Sequence, residues 1–102
     1  MTKLIMGVDA STSCTGWAFL DTDGKLIEYG KISPPAKLEY LQKCDFIVKG
    51  LISQLDLKKE SIIDVGIEIL NTSRNMKITR ILAGLSQIIR YSIFTRYGIT
   101  VK

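Results

Sequence analysis

Two acidic residues, Asp9 and Glu68, stand near the ends of predicted strands. Asp9 follows a continuous apolar run over residues 4–8, which predicts a strand buried on both faces. Glu68 lies near the end of a second strand-like stretch, over residues 62–70. If these strands are parallel neighbours, they lie about 4.8 Å apart, so the two carboxylates can share a metal ion. Paired acids of this kind suit Mg²⁺ or Mn²⁺ and the hydrolysis of phosphodiesters.

Each acid also has an ordinary structural interpretation. Asp9, which is followed by Ser11 and Thr12, fits an Asx-type turn. Glu68 fits a solvent-facing position on an edge strand. Taken singly, each acid is explained by these roles. Taken together with the strand order, the pair favours a cation site, because a buried acid is costly unless it is paired, hydrogen-bonded or metal-bound.

The composition excludes several other kinds of chemistry. The chain has no histidine, which rules out Ser-His and Cys-His catalysis and zinc sites that use histidine. Its formal net charge of +4 suits a polyanionic partner, although many unrelated proteins share such a charge. Cys14 and Cys44 are expected to be reduced and packed as small apolar residues. The absence of a long apolar run or a secretory signal predicts a cytoplasmic protein without a membrane helix.

The pattern of apolar residues predicts an α/β fold with a mixed sheet. Strands over residues 4–8, 16–20 and 25–33 form an antiparallel meander, with an Asp-Gly turn between the second and third. An amphipathic helix is predicted from about residue 36 to 55, and a second helix ends near residue 95, before Gly98. A short fifth strand over residues 99–101 completes the order β-β-β-α-β-α-β, with helices flanking the parallel strands.

Further polar side chains near the acids are candidates for binding phosphate. Ser11 and Thr12 can donate hydrogen bonds to a phosphate or a metal-bound water, but turn chemistry explains them equally well. Arg74, Lys77 and Arg80 begin the second predicted helix and can contact phosphates beside the metal site. A solvated helix face is an equally good explanation of these basic residues.

The segment around the first acid resembles the opening motif of RuvC-type Holliday-junction resolvases. It reads Met6-Gly7-Val8-Asp9-Ala10-Ser11-Thr12-Ser13-Cys14-Thr15-Gly16-Trp17-Ala18. The Thr-Gly-Trp-Ala sequence at the end of this segment lies at the distance from the acid that the family shows. A second, weaker motif is Gly66-Ile67-Glu68, a strand that ends in an acid ahead of a helix. The resemblance covers essentially the whole chain, as the N-terminal two thirds of such a domain.

The resemblance implies an RNase H-like fold in which Asp9 and Glu68 are catalytic residues and ligands of Mg²⁺ or Mn²⁺. The implied reaction is the paired nicking of a four-way DNA junction by a homodimer, in DNA recombination and repair. The family completes its site with two acids on a C-terminal helix, which this sequence does not include. Residues 1–102 are therefore expected to form a single, C-terminally truncated domain, and its activity alone is an open question. The family often has an aromatic residue where this chain has Asn71, which leaves junction specificity open.

Two other classes of function compete with this interpretation. One is a non-catalytic RuvC-like module that binds branched nucleic acid, which the missing C-terminal acids favour. The other is an ATP-binding fragment related to actin and sugar kinases. Those proteins usually carry Asp-x-Gly where this chain has Asp9-Ala10-Ser11, and they need a second large domain.

Overall fold

The computed structural model describes residues 2–68 and 76–102, which form a four-stranded mixed sheet and two helices. The elements are β1 (Leu4–Asp9), β2 (Thr15–Asp21), β3 (Leu26–Ile32), α1 (Tyr40–Lys58), β4 (Ile62–Glu68) and α2 (Met76–Tyr97). The strand order is β3-β2-β1-β4; β2 is antiparallel to both of its neighbours, and β1 is parallel to β4. The predicted meander and the predicted α/β class are therefore confirmed.

The core lies between one face of the sheet and the two helices. Alternate residues of each central strand point to this face, as the two-residue repeat of a strand requires. In β1 these residues are Leu4, Met6 and Val8. Trp17, which the sequence motif contains, is buried on the same face of β2. The helices contribute buried side chains that form one cluster with the strands: Cys44, Ile47, Leu51, Leu55, Leu85, Ile89 and Ile93.

The first helix begins later than predicted, at Tyr40 rather than near residue 36. The amide of Leu38 donates a hydrogen bond to the Pro35 carbonyl (3.2 Å), so the chain makes a turn after its two prolines. Glu39 is the N-cap residue of the helix, and its amide donates a hydrogen bond to the Gln42 side chain (2.9 Å). It continues through Lys58, beyond the predicted end near residue 55.

The predicted fifth strand is not formed, since residues 98–102 have no regular secondary structure. Gly98 ends α2 as predicted, with a φ of 71° and a hydrogen bond from its amide to the Phe94 carbonyl (2.9 Å). Lys102 alone pairs with β4, through a bond from its amide to the Val65 carbonyl (2.9 Å) and a bond from the Ile67 amide to its own carbonyl (2.8 Å). This is the pattern of a parallel ladder, but it involves one residue rather than three.

The two cysteines differ in their surroundings. Cys44 is buried in the core, as predicted, whereas Cys14 is exposed, so the expectation that both would be packed was wrong for Cys14. The reason is its position in the loop between β1 and β2, outside the sheet. Neither helix of the described residues is long and apolar enough to cross a membrane.

A close contact between the helices depends on Gly84. The hydroxyl of Tyr40 on α1 donates a hydrogen bond to the Ile81 carbonyl on α2 (2.7 Å). A Cβ atom at position 84 would lie 2.5 Å from that hydroxyl oxygen. The glycine at position 84 thus marks a close approach of the two helices, because a larger residue there would displace Tyr40.

We predict that Gly84→Ala destabilises the wild type but stabilises a protein in which Tyr40 is replaced by Phe. In the wild type, the substitution should lower the free energy of unfolding by about 1–3 kcal/mol through overpacking. In a Tyr40→Phe background the nearest remaining ring carbon is 3.6 Å away, which is an ordinary contact. There alanine should stabilise the protein by up to about 1 kcal/mol through its higher helix propensity. Urea denaturation of the four proteins tests this, and an equal effect of Gly84→Ala in both backgrounds would contradict it.

The ends of the two helices are joined by a polar cluster around Asp56. Arg96 donates two hydrogen bonds to the Asp56 carboxylate (3.1 and 2.7 Å), and the Tyr97 hydroxyl donates a third. The hydrogen bonds from Arg96, and then the one from Tyr97, lower the pKa of Asp56 from 3.8 to about 2. Because the folded state lowers this pKa, the ionised carboxylate stabilises the fold above pH 4, and this contribution is lost as the pH falls through about 2.

Replacement of Asp56 by Asn is therefore expected to destabilise the protein most at neutral pH. The difference in midpoint of unfolding between wild type and Asp56→Asn should shrink as the pH falls from about 4 to about 2, since both proteins then lack the ionised group. Thermal unfolding at a series of pH values measures this difference. Asp45→Asn, which removes an exposed carboxylate from the same helix, is the control. A difference that stays constant down to about pH 2 would show that the Asp56 cluster does not contribute in this way.

Candidate metal site on the open face of the sheet

The strand register places the two predicted acids side by side. Asp9 is the last residue of β1 and Glu68 is the last residue of β4, and they are directly paired in the parallel ladder. On its other side, Asp9 is paired with Gly16 of β2. Both acids are exposed. The sequence predicted a shared cation on the condition that the two strands are parallel neighbours. The structure meets this condition.

Asp9 and Glu68 lie on the face of the sheet that the described helices do not cover. In β1, Ile5, Gly7 and Asp9 alternate with the three core residues, so they point away from the helices. A Cβ atom at Gly16 would lie 3.9 Å from the Asp9 Cβ, which places position 16 on the same face. The face is a shallow groove of about 810 Å³ that ends at the two acids.

The floor of this groove is made of small residues. Gly66, Gly7 and Ala18 are neighbours across three strands, immediately beside the pair of acids. A Cβ atom at Gly7 would meet no other atom within 4 Å. A flat, open floor of this kind lets a ligand approach the backbone of the sheet closely.

No positive side chain neutralises the two acids within the described residues. Neither Asp9 nor Glu68 takes part in an ion pair or hydrogen bond there. Asp64, on the same face of β4, differs because Lys102 donates a hydrogen bond to its carboxylate (2.9 Å). That bond lowers the pKa of Asp64. The two unpaired carboxylates are therefore the groups on this face with the strongest reason to attract a cation.

The donor set suits a hard cation such as Mg²⁺ or Mn²⁺. Both acids offer oxygen ligands, and Mg²⁺ is usually held by one or two carboxylates, with waters and substrate phosphates completing its shell. Within residues 2–68 and 76–102, no group of three or more acidic, cysteine or histidine side chains could hold a metal ion. The described residues therefore offer two carboxylates, Asp9 and Glu68, toward such a site.

The loop after Asp9 is held by its own hydrogen bonds. The Thr15 hydroxyl donates a hydrogen bond to the Ser11 carbonyl (2.7 Å) and accepts one from the Ser11 amide (3.2 Å). The Ser11 hydroxyl is hydrogen-bonded to that of Ser13 (3.1 Å). These contacts support the turn interpretation of Ser11, while phosphate binding by Ser11 and Thr12 stays a prediction.

The predicted basic contacts fall partly outside the described structure. Asn71 and Arg74 lie among residues 69–75, which are outside the described residues. Lys77 and Arg80 are exposed in the first turns of α2, and their spacing of three residues places them on one side of the helix. Their binding to phosphate stays a prediction.

One residue of the open face was not singled out from the sequence. Lys31 of β3 is paired with Gly16, so Glu68, Asp9, Gly16 and Lys31 form a row across the four strands, here called the acid row. Counting residues outward from the Asp-Gly turn does not predict that Lys31 lies opposite Gly16. The reason is that the pairing of β2 with β3 shifts by one residue beside Leu20.

Solved structures share this architecture. No protein-family model matches the sequence, and no curated protein matches it. RuvC of Thermus thermophilus, solved in complex with a Holliday junction substrate, superposes with a TM-score of 0.82 over 97% of this chain, at 11% identity. The chain has a RuvC-like fold. It spans 62% of that RuvC chain.

Solved structures of other kinds of protein are also similar to this chain. The human cytomegalovirus terminase nuclease domain, also solved after a manganese soak, matches with a TM-score of 0.58 at 17% identity, over 98% of this chain and 46% of its own. A transcriptional regulator of the ROK family, homologous to the Escherichia coli MLC protein, matches with a TM-score of 0.68 at 8% identity, over 99% of this chain and 27% of its own. At these identities the likeness establishes the fold, and the function has to be argued from the site.

The pairing of the Asp9 and Glu68 carboxylates predicts how Asp9→Asn and a divalent cation change the stability of the fold. Adjacent carboxylates repel, so Asp9→Asn should raise the free energy of unfolding in a chelating buffer by up to about 1 kcal/mol. A cation that binds the folded pair should stabilise the wild type, and this gain should be lost in Asp9→Asn. Thermal unfolding with EDTA and with MnCl₂ measures both effects.

Asp23→Asn is the matched control for this experiment, because Asp23 is an exposed acid in the turn between β2 and β3. It should respond to Mn²⁺ as the wild type does. Equal stabilisation of wild type and Asp9→Asn by Mn²⁺ would show that the ion binds elsewhere.

Proposed function

We propose that this chain is the acid-bearing part of a metal-dependent nuclease that acts on branched DNA, with a four-way junction as its substrate. The observation that carries the proposal is the direct pairing of Asp9 with Glu68 at the ends of β1 and β4. The pair is exposed, lies on an open face of the sheet and has no cation beside it among the described residues. The RuvC-like fold supports the assignment, since the T. thermophilus protein was solved on such a junction.

The proposed role of the two acids is to hold Mg²⁺ or Mn²⁺ against the phosphate to be cut. Such an ion lowers the pKa of an attacking water and stabilises the leaving oxygen. Asp9 and Glu68 would fix the position of the ion through their oxygen atoms. The small residues beside them, Gly7 and Gly66, would leave room for the sugar-phosphate backbone.

Positively charged residues would contribute affinity for DNA. The chain carries a net charge of +4, which favours a polyanion. Lys77 and Arg80 are exposed on α2, the helix that follows Glu68 in sequence, and we include them with Arg74 as phosphate contacts. Ser11, Thr12 and Asn71 complete the proposed DNA-binding set, and a homodimer would present two such sites to the two strands that are cut.

One observation favours a second candidate, a non-catalytic module that binds branched nucleic acid. The described residues bring together two carboxylates but no third ligand. A chain that spans 62% of the matched RuvC chain can bind a junction without holding a complete catalytic site. No contact of the described residues favours the ATP-binding alternative over these two.

A cleavage experiment separates these functions. A labelled four-way junction and a linear duplex of matched sequence would be incubated with the chain, with and without Mn²⁺. We expect paired nicks in the junction that require the metal. Glu68→Gln should reduce their rate by more than about 100-fold, which is the upper range for losing a residue that merely supports a metal ligand.

The control variant is Glu60→Gln, which removes an exposed carboxylate from the turn before β4 and should cut like the wild type. Binding of the junction without nicks in any protein would support the non-catalytic module. Equal cutting of the junction and the linear duplex would support an RNase H-like nuclease without junction selectivity. Absence of both binding and cutting would contradict the proposed function.

A further inference from the structure

The acid row does not end at the two acids but continues across the sheet to Lys31. Lys31 is separated from Asp9 by one strand and is paired with Gly16 on that strand. At the spacing of neighbouring strands, the backbones of Asp9 and Lys31 lie about 10 Å apart. The row thus carries two negative charges at one end and one positive charge at the other.

The neighbouring glycine establishes the face on which Lys31 lies. A Cβ atom at Gly30 would lie 2.5 Å from the indole Cζ2 of Trp17, so the indole ring covers position 30 on the helix face. Because successive strand residues alternate, Tyr29 and Lys31 belong to the opposite face, with Asp9. Both are exposed, and Tyr29 has 74% of its surface accessible.

Within the row, no described residue places a side chain between the acids and Lys31. Gly16, the intervening residue of the row, has no side chain, and Ala18, the next residue of β2 on this face, has only a methyl group. Any side chain longer than a methyl group at position 16 would stand between Asp9 and Lys31. The row is therefore a flat path on which an extended polymer can lie across the strands.

The charges of the open face also distinguish Lys31 from Lys102. Lys102 is paired with Asp64 (2.9 Å), whereas Lys31 forms no ion pair with any residue that the structure describes. A lysine ammonium of this kind can bind a phosphate group as a point charge. The protein has other exposed lysines, and Lys31 differs from them in its place in the acid row.

We propose that Lys31 binds a backbone phosphate of the same nucleic-acid strand whose neighbouring phosphate lies at Asp9 and Glu68. This inference rests on the proposed function and adds to it the course of the substrate strand, which crosses β1 and β2 toward β3. Lys31 acts as a positioning residue: it fixes the strand on the open face, and Gly16 leaves the path clear. It takes no part in the bond that is broken.

Binding of a fluorescein-labelled four-way junction, followed by anisotropy in Ca²⁺ over a range of NaCl concentrations, tests this role. Lys31→Gln should weaken binding by about 5- to 10-fold at 0.1 M salt and reduce the slope of log affinity against log salt by about one. Lys31→Arg keeps the charge and should bind like the wild type. Gly16→Leu should weaken binding although it keeps Lys31.

Lys3→Gln is the matched control, because Lys3 is exposed and precedes the opposite end of β1, about 20 Å from Asp9. It should change affinity less than twofold and leave the salt slope unchanged. Thermal unfolding verifies that each variant is folded.

The possible results separate this inference from the proposed function. If the wild type binds the junction but Lys31→Gln behaves like Lys3→Gln, the path toward β3 is wrong while the proposed function stands. A Gly16→Leu protein that is folded and binds normally would also overturn the path. If the wild type shows no salt-dependent binding, both proposals fail.

Discussion

The geometry of the open face depends on two shifts of one residue in the pairing of strands. In the ladder between β1 and β4, Leu4 pairs with Ile62 but Ile5 pairs with Asp64, so Ile63 is an extra residue. Without that shift, Asp9 would lie opposite Ile67 rather than Glu68. The shift between β2 and β3 acts in the same way, because without it Gly16 would lie opposite Gly30 rather than Lys31. A slip of one residue moves every side chain of a strand to the other face. The two shifts therefore determine which side chains the acid row contains.

The two faces of the sheet have opposite roles. The helix face holds fully buried side chains such as Met6, Phe19 and Val65, and burial of one large apolar side chain contributes about 1.5–3 kcal/mol. The repulsion between two adjacent carboxylates costs at most about 1 kcal/mol at an exposed position. A few core residues therefore offset the cost of keeping Asp9 and Glu68 together. The stability of the fold does not require a cation between them, and this leaves the pair available for binding.

Much of the fold could be predicted because its signals are local. The apolar run before Asp9, the Asp-Gly turn and the glycine at position 98 each act within a few residues, and the structure has the strands and helix end that they indicate. The parallel direction of β4 could be expected from the helix that connects it to β3. Its adjacency to β1 was only a condition of the predicted site, and the pairing of Asp9 with Glu68 meets that condition. The acid row as a whole could not be predicted, because a bulge leaves no mark in the pattern of apolar residues. The failure of the fifth strand has a similar origin, since pairing at a sheet edge depends on contacts beyond the segment itself.

The position of Trp17 makes the register of the sheet observable by spectroscopy. It is the protein's single tryptophan, its ring lies against Phe19 with a centroid distance of 5.4 Å, and it covers Gly30 on the neighbouring strand. Any side chain brought opposite the indole by a slip of β3 would collide with it. Its emission therefore reports whether the meander is correctly aligned. Because the ring lies on the helix face, this signal reports the packing of the core face and not the charges on the face that carries Asp9.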